Sequence, residues 1–497
     1  VNNITLTLGG PGCGKTTRLL EHVERELRAG TPPARIAYVA FTKEAATVAR
    51  QRAAEQFGLD PEKDLPWFRT IHSLAYQRLG ITKEEVMSQR DYDDFGARIG
   101  EYMRGPTEEE LMESVPGSSG PRGARLLRLV DFAATTGRAL GDVWRAMEEW
   151  VTWHELERFD ATYTAYKANA GKMDFTDMLL HYAQNGDPVP VDVAVVDEAQ
   201  DMTHAQYAVA KRAFANVRKC YIGGDDDQSI YTWAGADLHA FLTLPYAQLE
   251  VLSTSHRLPG AVFETATKIR GRIGHRYAKA LVPDNRAGTV EFHQVAEAVP
   301  IAEDGTWLLL ARNTWLLQRL IAMAREAGVN YTTRTGPAVD PKDVTAIVLY
   351  ERLRAGAATD LDAKEVRLLC KKMGRPVPQL RETKRYTVAE LNLPIQLPWY
   401  WALSEITSSR RVYYQALLRN KQKLSAPPRY RIDTIHGVKG AEADHVMLLT
   451  DVSGRTLEAA RVDPDSEHRV FYVGATRARR TLHVVTPQTN TFYDFPH

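Results

Sequence analysis

Gly9-Gly10-Pro11-Gly12-Cys13-Gly14-Lys15-Thr16 carries the G-x-x-x-x-G-K-[ST] spacing of a phosphate-binding loop. Glycines in such a loop let backbone N–H groups converge on phosphate oxygens, and the N-terminus of the next helix adds partial positive charge. Lys15 is placed to reach the β- and γ-phosphates, the Thr16 hydroxyl to bind Mg²⁺, and residues 9 to 17, ending in Thr17, form the expected nucleotide-contacting segment. Cys13 reads as a small filler. The competing reading is a Gly-rich turn that contains Gly-Lys-Thr by chance. Farther on, the apolar run 191–196 ends in Asp197-Glu198-Ala199-Gln200-Asp201. A buried strand that delivers two adjacent carboxylates to its end suits a Walker B element, with Asp197 holding Mg²⁺ through water and Glu198 polarising the attacking water. Taken alone, the same pair could begin a solvated helix.

These groups need a rigid scaffold. An apolar strand over 4–8, a Gly-rich turn and a helix from 15 to 28 form a strand–loop–helix opening. Further apolar runs at 36–40, 191–196, 220–222, 251–252, 307–311, 446–449 and 482–485 alternate with helical stretches, which predicts an α/β fold with parallel sheets. Residues 80–171 and 338–424 lack that rhythm and read as helical insertions. The first carries acidic patches (Glu84, Glu85, Asp91, Asp93, Asp94, then Glu108, Glu109, Glu110) and a Gly/Ser loop at 116–123; the second is punctuated by Pro376, Pro378, Pro394 and Pro398. The expected organisation is a core of 1–79 with 172–245, and a second of 246–337 with 425–497, each carrying one insertion.

Composition narrows the classes. At 497 residues, 44% hydrophobic and 25% charged, the chain is long enough for about three or four domains. Sixty-three basic against 62 acidic side chains exclude a uniformly basic nucleic-acid coat, so any nucleic-acid contact must be local. Cys13, Cys220 and Cys370 are too few for a four-thiolate metal centre or a disulfide framework and fit a reducing compartment. Without a long apolar run or a leader-like N-terminus, the expectation is a cytoplasmic protein with no membrane partner.

The run Gly223-Gly224-Asp225-Asp226-Asp227-Gln228-Ser229-Ile230-Tyr231-Thr232-Trp233-Ala234-Gly235-Ala236 follows Asp-Glu-Ala-Gln-Asp and resembles the third motif of superfamily 1 DNA helicases of the UvrD/Rep/PcrA type. Other segments follow in that family's order. Residues 40–46 (Ala-Phe-Thr-Lys-Glu-Ala-Ala) resemble the motif after the phosphate loop, 70–74 (Thr-Ile-His-Ser-Leu) the Thr-Phe-His-Ser motif, and 173–179 (Met-Asp-Phe-Thr-Asp-Met-Leu) the stretch before Walker B. Ser255-His256-Arg257 stands where Asn-Tyr-Arg is usual. Residues 433–442, from Asp433 to Glu442, resemble the fifth motif and 471–479 the sixth.

The resemblance implies two RecA-like P-loop cores with an ATP and Mg²⁺ cleft between them. By it, Lys15, Asp197, Glu198, Gln228, Arg257 and Arg477 are the catalytic set. Gln228 senses the γ-phosphate, and Arg257 and Arg477 are arginine fingers from the second core. His256, Gly440 and Glu442 join the nucleotide contacts, with Glu442 on the ribose, while Thr16 and Asp197 hold the metal. A single-strand groove would use Phe41, Tyr231 and Trp233 for stacking and Thr42, Thr70, His72, Arg312, Asn313, Thr434 and His436 for phosphates or sugars. Base stacking tolerates any sequence, as a motor requires; Phe41, which ends a strand, reads equally as core.

Some positions depart from the family. Only eight residues precede Gly9, where an adenine-recognition Gln motif is usual, and His256 replaces a stacking Tyr, so base selection is expected to be loose. Ala234 replaces an Arg, and Lys43-Glu44 replaces Asn-Lys. The reading is an ATP-dependent helicase moving on single-stranded DNA, 3′ to 5′ by resemblance. Its partners are single strands and single/double-strand junctions, and the chain acts as a monomer in solution. The alternatives are a protein-displacing translocase and an ATP-gated DNA-binding mediator. Independently of family, Arg410, Arg411, Arg419, Lys421, Lys423, Arg429 and Arg431 occur within 408–431 with no acidic residue. That stretch is either a solvated helix face or a phosphate-binding surface for duplex.

Overall fold

The computed structural model describes residues 3–106, 120–146 and 150–497. Glu108, Glu109, Glu110 and residues 116–119 of the 116–123 loop therefore lie outside the described residues. The chain forms two compact units, Val1–Ala287 with Ala459–Thr476, and Gly288–Glu458 with Arg477–His497.

The first unit is built on a six-stranded sheet of β1 (Ile4–Gly9), β2 (Ile36–Ala40), β3 (Phe68–Thr70), β4 (Val193–Val196), β5 (Lys219–Gly224) and β6 (Gln248–Leu252), in the order β3-β2-β4-β5-β1-β6. Every pairing is parallel. Both faces are covered, which is why β2 and β4 are buried at every position and read as unbroken apolar runs. Helices α1 (Lys15–Arg28) and α2 (Lys43–Phe57) pack on one face around Leu19, Val23 and Tyr38; α3 (Ile71–Leu79) packs on the other with Leu6, Leu8 and Val196. In such a sheet loops gather at the carboxyl ends of the strands, and there the phosphate loop follows β1, Asp197 follows β4 and Asp225 follows β5.

The expected boundary at residue 245 falls one strand early. β6 lies beyond it, yet pairs with β1 from Thr5↔Gln248 to Gly9↔Leu252 and completes the first sheet. The short parallel pair β7 (Thr254–Pro259) and β8 (Val282–Asp284), helix Gly260–Arg270 and helix Pro464–Ala475 belong to this unit as well. No hydrophobic alternation marks such a boundary, because β6 is a half-exposed edge strand. The described part of the first insertion is helical (Gln89–Ile99, Arg122–Thr136, Leu140–Ala146, Trp153–Ala170) with its own core around Phe95, Leu126, Phe159 and Tyr163.

The second unit contains β9 (Thr289–His293), β10 (Trp307–Ala311), β11 (Tyr331–Thr333), β12 (Gly336–Pro337), β13 (Asp360–Leu361), β14 (Tyr386–Thr387), β15 (Tyr430–Thr434), β16 (Ala443–Leu449) and β17 (Ala478–Val485). Its main sheet runs β12-β11-β15-β10-β16-β17-β9, parallel except for β11–β12. The second insertion is helical (Pro341–Arg354, Ala363–Lys372, Ser408–Arg419) around the small β13–β14 ladder, and its core is continuous with that of the sheet. Among the described residues, no helix is long and apolar enough to cross a membrane.

Candidate functional site

The loop after β1 turns through Gly12 (φ +72°) and Gly14 (φ +78°), a region that glycine enters without steric cost. Gly12 is doubly required, since an added Cβ would lie 2.3 Å from Cβ of Arg257. The loop is seated on β7: the His256 N–H donates to Gly12 O (2.9 Å) and the Ser255 hydroxyl to Pro11 O (2.7 Å). Arg257, expected to arrive from a second core, therefore belongs to the same unit as the loop. Lys15 is buried and donates to Gly9 O (3.0 Å), closing the loop on itself. Cys13 is buried, and burial pushes its thiol above the ordinary range. Thr17, one position on, is exposed.

Thr16 and Asp197 meet. The Thr16 hydroxyl donates to Asp197 Oδ2 at 2.9 Å, and the buried Tyr38 hydroxyl donates to the same oxygen at 2.8 Å. Burial, then the neighbouring Glu198 charge, push the Asp197 carboxyl up to about 6, against the hydrogen bonds from Tyr38 and Thr16. Glu198 sits at φ +53°, a left-handed conformation that costs a non-glycine residue of order 1 kcal/mol or more and is found where function over-determines geometry. Its carboxylate accepts from Gln200 Nε2 at 2.6 Å.

Gln200 then reaches the third motif. Its Oε1 accepts from the Asp225 N–H (2.9 Å), and its backbone carbonyl accepts from the Ser229 hydroxyl (2.9 Å). Gln228 is buried and donates to Asp225 Oδ2 at 2.5 Å. The Asp225-Asp226-Asp227 run is buried, so it demands a cation, which Lys279 supplies. Its ammonium, with 0% side-chain exposure, lies 2.5, 2.6 and 2.9 Å from the three carboxylates in turn. Burial would raise Asp225, but Lys279 and then Lys15 outweigh it and hold the group below the ordinary range; burial leaves Asp227 pushed up to about 6 despite Lys279. Neither Gln200 nor Lys279 was assigned a role from sequence. Gln200 lies inside a quoted motif, whereas Lys279 lies in none.

The aromatic expectations divide. Tyr231 is buried, stacked on Phe41 (5.7 Å, 21°) and edge-on to Trp233 (6.2 Å, 60°). Tyr231 is thus a support, not an open stacking face, and the half-buried rings of Phe41 and Trp233 are the accessible ones. The Thr42 and Thr70 hydroxyl oxygens act as helix N-caps, accepting from Ala45 N (3.1 Å) and Ser73 N (3.2 Å). His72 is buried in a T-shaped contact with Phe175 (6.1 Å, 85°). In the stretch before Walker B, Asp174 caps its helix and binds buried Lys167 (2.6 Å), while Thr176 donates to buried Asp131 (2.9 Å), tying the insertion to the core.

In the second unit the expected residues hold loops together. Asn313 bridges to Thr456 Oγ1 (3.0 Å) and Ser453 N (2.8 Å), and Arg312 beside it is half-buried. The Thr434 hydroxyl accepts from Gly437 N (3.1 Å), and His436 is buried. Gly440 takes φ +82°. Glu442 is exposed and paired with Arg479 (3.1 Å), and buried Arg477 donates to Ala441 O (3.3 Å). Four members of the 408–431 basic stretch are committed internally: Arg410 to Asp340 and Asp343, Arg411 to Tyr400 O, Arg429 to Asp304 and Arg431 to Asp433.

Residues 1–246 match the UvrD/REP helicase N-terminal domain, and residues 397–489 match the UvrD-like helicase C-terminal domain. Among curated proteins, the chain is similar to the ATP-dependent DNA helicase PcrA of Leuconostoc citreum, 25% identical over 310 residues that cover 57% of this chain and 39% of that protein. PcrA of Bacillus subtilis (strain 168) is 26% identical over 311 residues, with the same 57% and 39% coverage. PcrA of Staphylococcus aureus (strain Mu50) is 23% identical over 303 residues, 57% of this chain and 40% of that protein. The chain spans about two fifths of the length of these relatives.

Proposed function

The chain belongs to the UvrD/Rep-type superfamily 1 helicases, whose domains are RecA-like P-loop folds, and on that footing we propose that it hydrolyses ATP to move along single-stranded DNA and part duplex strands. The observation that carries this reading is the continuous polar path in the first unit. It runs from Lys15 and Thr16 through Asp197 and Glu198 to Gln200, Gln228 and the Trp233 segment. In it, backbone N–H groups of the loop from residue 12 to residue 16, beyond Pro11, and the Lys15 ammonium bind the triphosphate. The Thr16 hydroxyl and Asp197, already joined, are the groups that would hold Mg²⁺, which when bound neutralises phosphate charge. Glu198 orients the attacking water and takes its proton, with Gln200 fixing the carboxylate. Gln228 reads the γ-phosphate, and Arg257 stands beside the loop to meet developing charge. For Arg477, Gly440 and Glu442 the support is the motif resemblance.

Because Gln200 ties Glu198 to the segment that carries Trp233, a base stacked on Trp233 and Phe41 can alter the hydrolytic carboxylate, which would couple DNA to turnover. The organisation into two cores with helical insertions at 80–171 and 338–424, and the 3′-to-5′ direction, belong to the same proposal. Its test is strand displacement on duplexes tailed at the 3′ or the 5′ end, run beside ATP hydrolysis. Displacement of the 3′-tailed substrate alone is expected. Preference for the 5′ tail would reverse the direction, and DNA-stimulated hydrolysis with no displacement of either would favour the translocase reading.

A further inference from the structure

The second unit carries a cluster of imidazoles that the helicase reading does not use. β9 is the edge strand of the second sheet and pairs in parallel with β17, with Glu291 opposite His483 and His293 opposite Val485. Alternate residues of a strand share a face, so Glu291 and His293 share a face with His483. Their ligating atoms converge. His293 Nε2 lies 3.1 Å from His483 Nδ1, His483 Nδ1 lies 3.3 Å from Glu291 Oε2, and Glu291 Oε2 lies 3.5 Å from His293 Nε2. A tetrahedral ion with bonds of about 2.0–2.1 Å places its ligands roughly 3.3–3.4 Å apart. The three separations bracket that edge.

We propose that Glu291, His293 and His483 bind one divalent transition-metal ion of the zinc type, with the fourth coordination position open to water. Two imidazoles and one carboxylate match the donor preference of Zn²⁺, whereas Ca²⁺ and Mg²⁺ require oxygen ligands in greater number. The supporting groups are in place. His483 is fully buried, and its ring stacks on Trp307 (5.2 Å, 15°), which also stacks His445 (4.5 Å, 16°). The second nitrogen of His483, Nε2, is buried without a hydrogen-bond partner, and Glu303 and His445 offer ligating atoms within 4.8 Å of this same imidazole. Glu291, 45% exposed, leaves an entry path from solvent. The ion would clamp the edge strand β9 to β17, joining residues about 190 apart in sequence.

The test uses the whole chain, stripped with a chelator and titrated with Zn²⁺ and, as a spectroscopic stand-in, Co²⁺. One equivalent of Zn²⁺ is expected, with visible Co²⁺ bands of tetrahedral intensity and a melting temperature that rises with Zn²⁺ concentration. Because His483→Ala removes a buried ring, the decisive variants are His293→Ala and Glu291→Ala at the sheet edge. Both are expected to lose stoichiometric binding and the thermal rise, while Glu303→Gln keeps them. Lys15→Ala is also expected to keep them, which separates this ion from the nucleotide's metal. Failure of the stripped chain to bind Zn²⁺ saturably would overturn the proposal. So would undiminished binding in the Glu291/His293 double variant, or loss on Glu303→Gln with retention in the edge variants, which would move the ion to His445.

Discussion

The two parallel sheets are built alike and employed differently. At the carboxyl ends of the first, the loops present buried or half-buried charge, Lys15 on its own loop, Asp197 and Glu198 after β4, and three aspartates around Lys279 after β5. At the corresponding ends of the second, Asn313 and Thr434 hold their loops in shape, and no glycine-rich cradle follows any of its strands. A common scaffold therefore does not imply a common role, since chemistry resides in whichever strand ends carry charge that folding leaves poised. The second sheet's distinctive polar cluster sits instead on its edge strand, where Glu291 and His293 face His483.

The sharpest way to break this contrast is to remove the poised charges. Lys15→Ala is expected to abolish ATP turnover while single-strand binding without nucleotide persists. Glu198→Gln is expected to bind ATP and to lose about 10²–10³-fold in kcat, as for other deletions of a group that acts in the transition state. Steady-state hydrolysis near the wild-type rate in either variant would remove the first sheet's special status. Lys279→Ala tests whether the buried aspartates depend on one cation. Breaking a buried ion pair costs about 3–5 kcal/mol, so urea unfolding should register a loss of that order, and an unchanged midpoint would show that the carboxylates are neutralised another way.

Trp233→Ala separates surface from support among the aromatics. Losing one stacked base costs about 1–3 kcal/mol, so single-strand affinity and DNA stimulation of hydrolysis should fall together while hydrolysis without DNA holds. Unchanged affinity would make Trp233 a support like Tyr231.

Asp131 offers a smaller, pH-dependent effect and a contrast with the lysine-bound aspartates. Burial, then the charge of Asp174, push its carboxyl up to about 8. The unfolded value is about 3.9, so the folded chain retains an extra proton across the window between, and stability falls as pH rises through it. Asp131→Asn keeps an acceptor for Thr176 and removes the charge. Its melting temperature should match wild type near pH 4 and exceed it increasingly toward pH 8; a pH-independent difference would contradict the assignment. Smallest is the effect in the second unit. With Arg410, Arg411, Arg429 and Arg431 committed internally, only Arg419, Lys421 and Lys423 remain for phosphates. Replacing these three by Gln should shallow the salt dependence of duplex binding by no more than about 0.9 per contact, with hydrolysis unaltered. An unchanged slope would make the whole stretch a solvated face.

The phosphate loop, the Walker B pair and the alternating βα rhythm were legible because each is a local pattern: glycines at fixed spacing, carboxylates after a buried strand, apolar runs covered on both faces. What escaped depends on contacts distant in sequence. A buried Asp-Asp-Asp run announces that a cation must exist, but nothing local says that it is Lys279, 52 residues beyond Asp227. Tyr231 and Trp233 look alike in sequence, and only packing against Phe41 makes one a support and leaves the other half-open. The first sheet's sixth strand reads from sequence as part of the second core, because an edge strand, half-exposed, lacks the apolar signature of its neighbours. Thr42 and Thr70 stand in motif positions, and their hydroxyl oxygens also serve as helix caps, a use that their spacing before α2 and α3 would also have allowed.

If the loop following β1 turns over ATP under the control of a bound single strand, the strand must change the rate of turnover. The most direct measurement is steady-state ATP hydrolysis by the intact chain, with Mg²⁺, in the presence and absence of a single-stranded oligonucleotide. Hydrolysis is expected to rise severalfold with the oligonucleotide and to disappear in Lys15→Ala. Hydrolysis that is absent, or that persists at the same rate whether or not the strand is present, would contradict it.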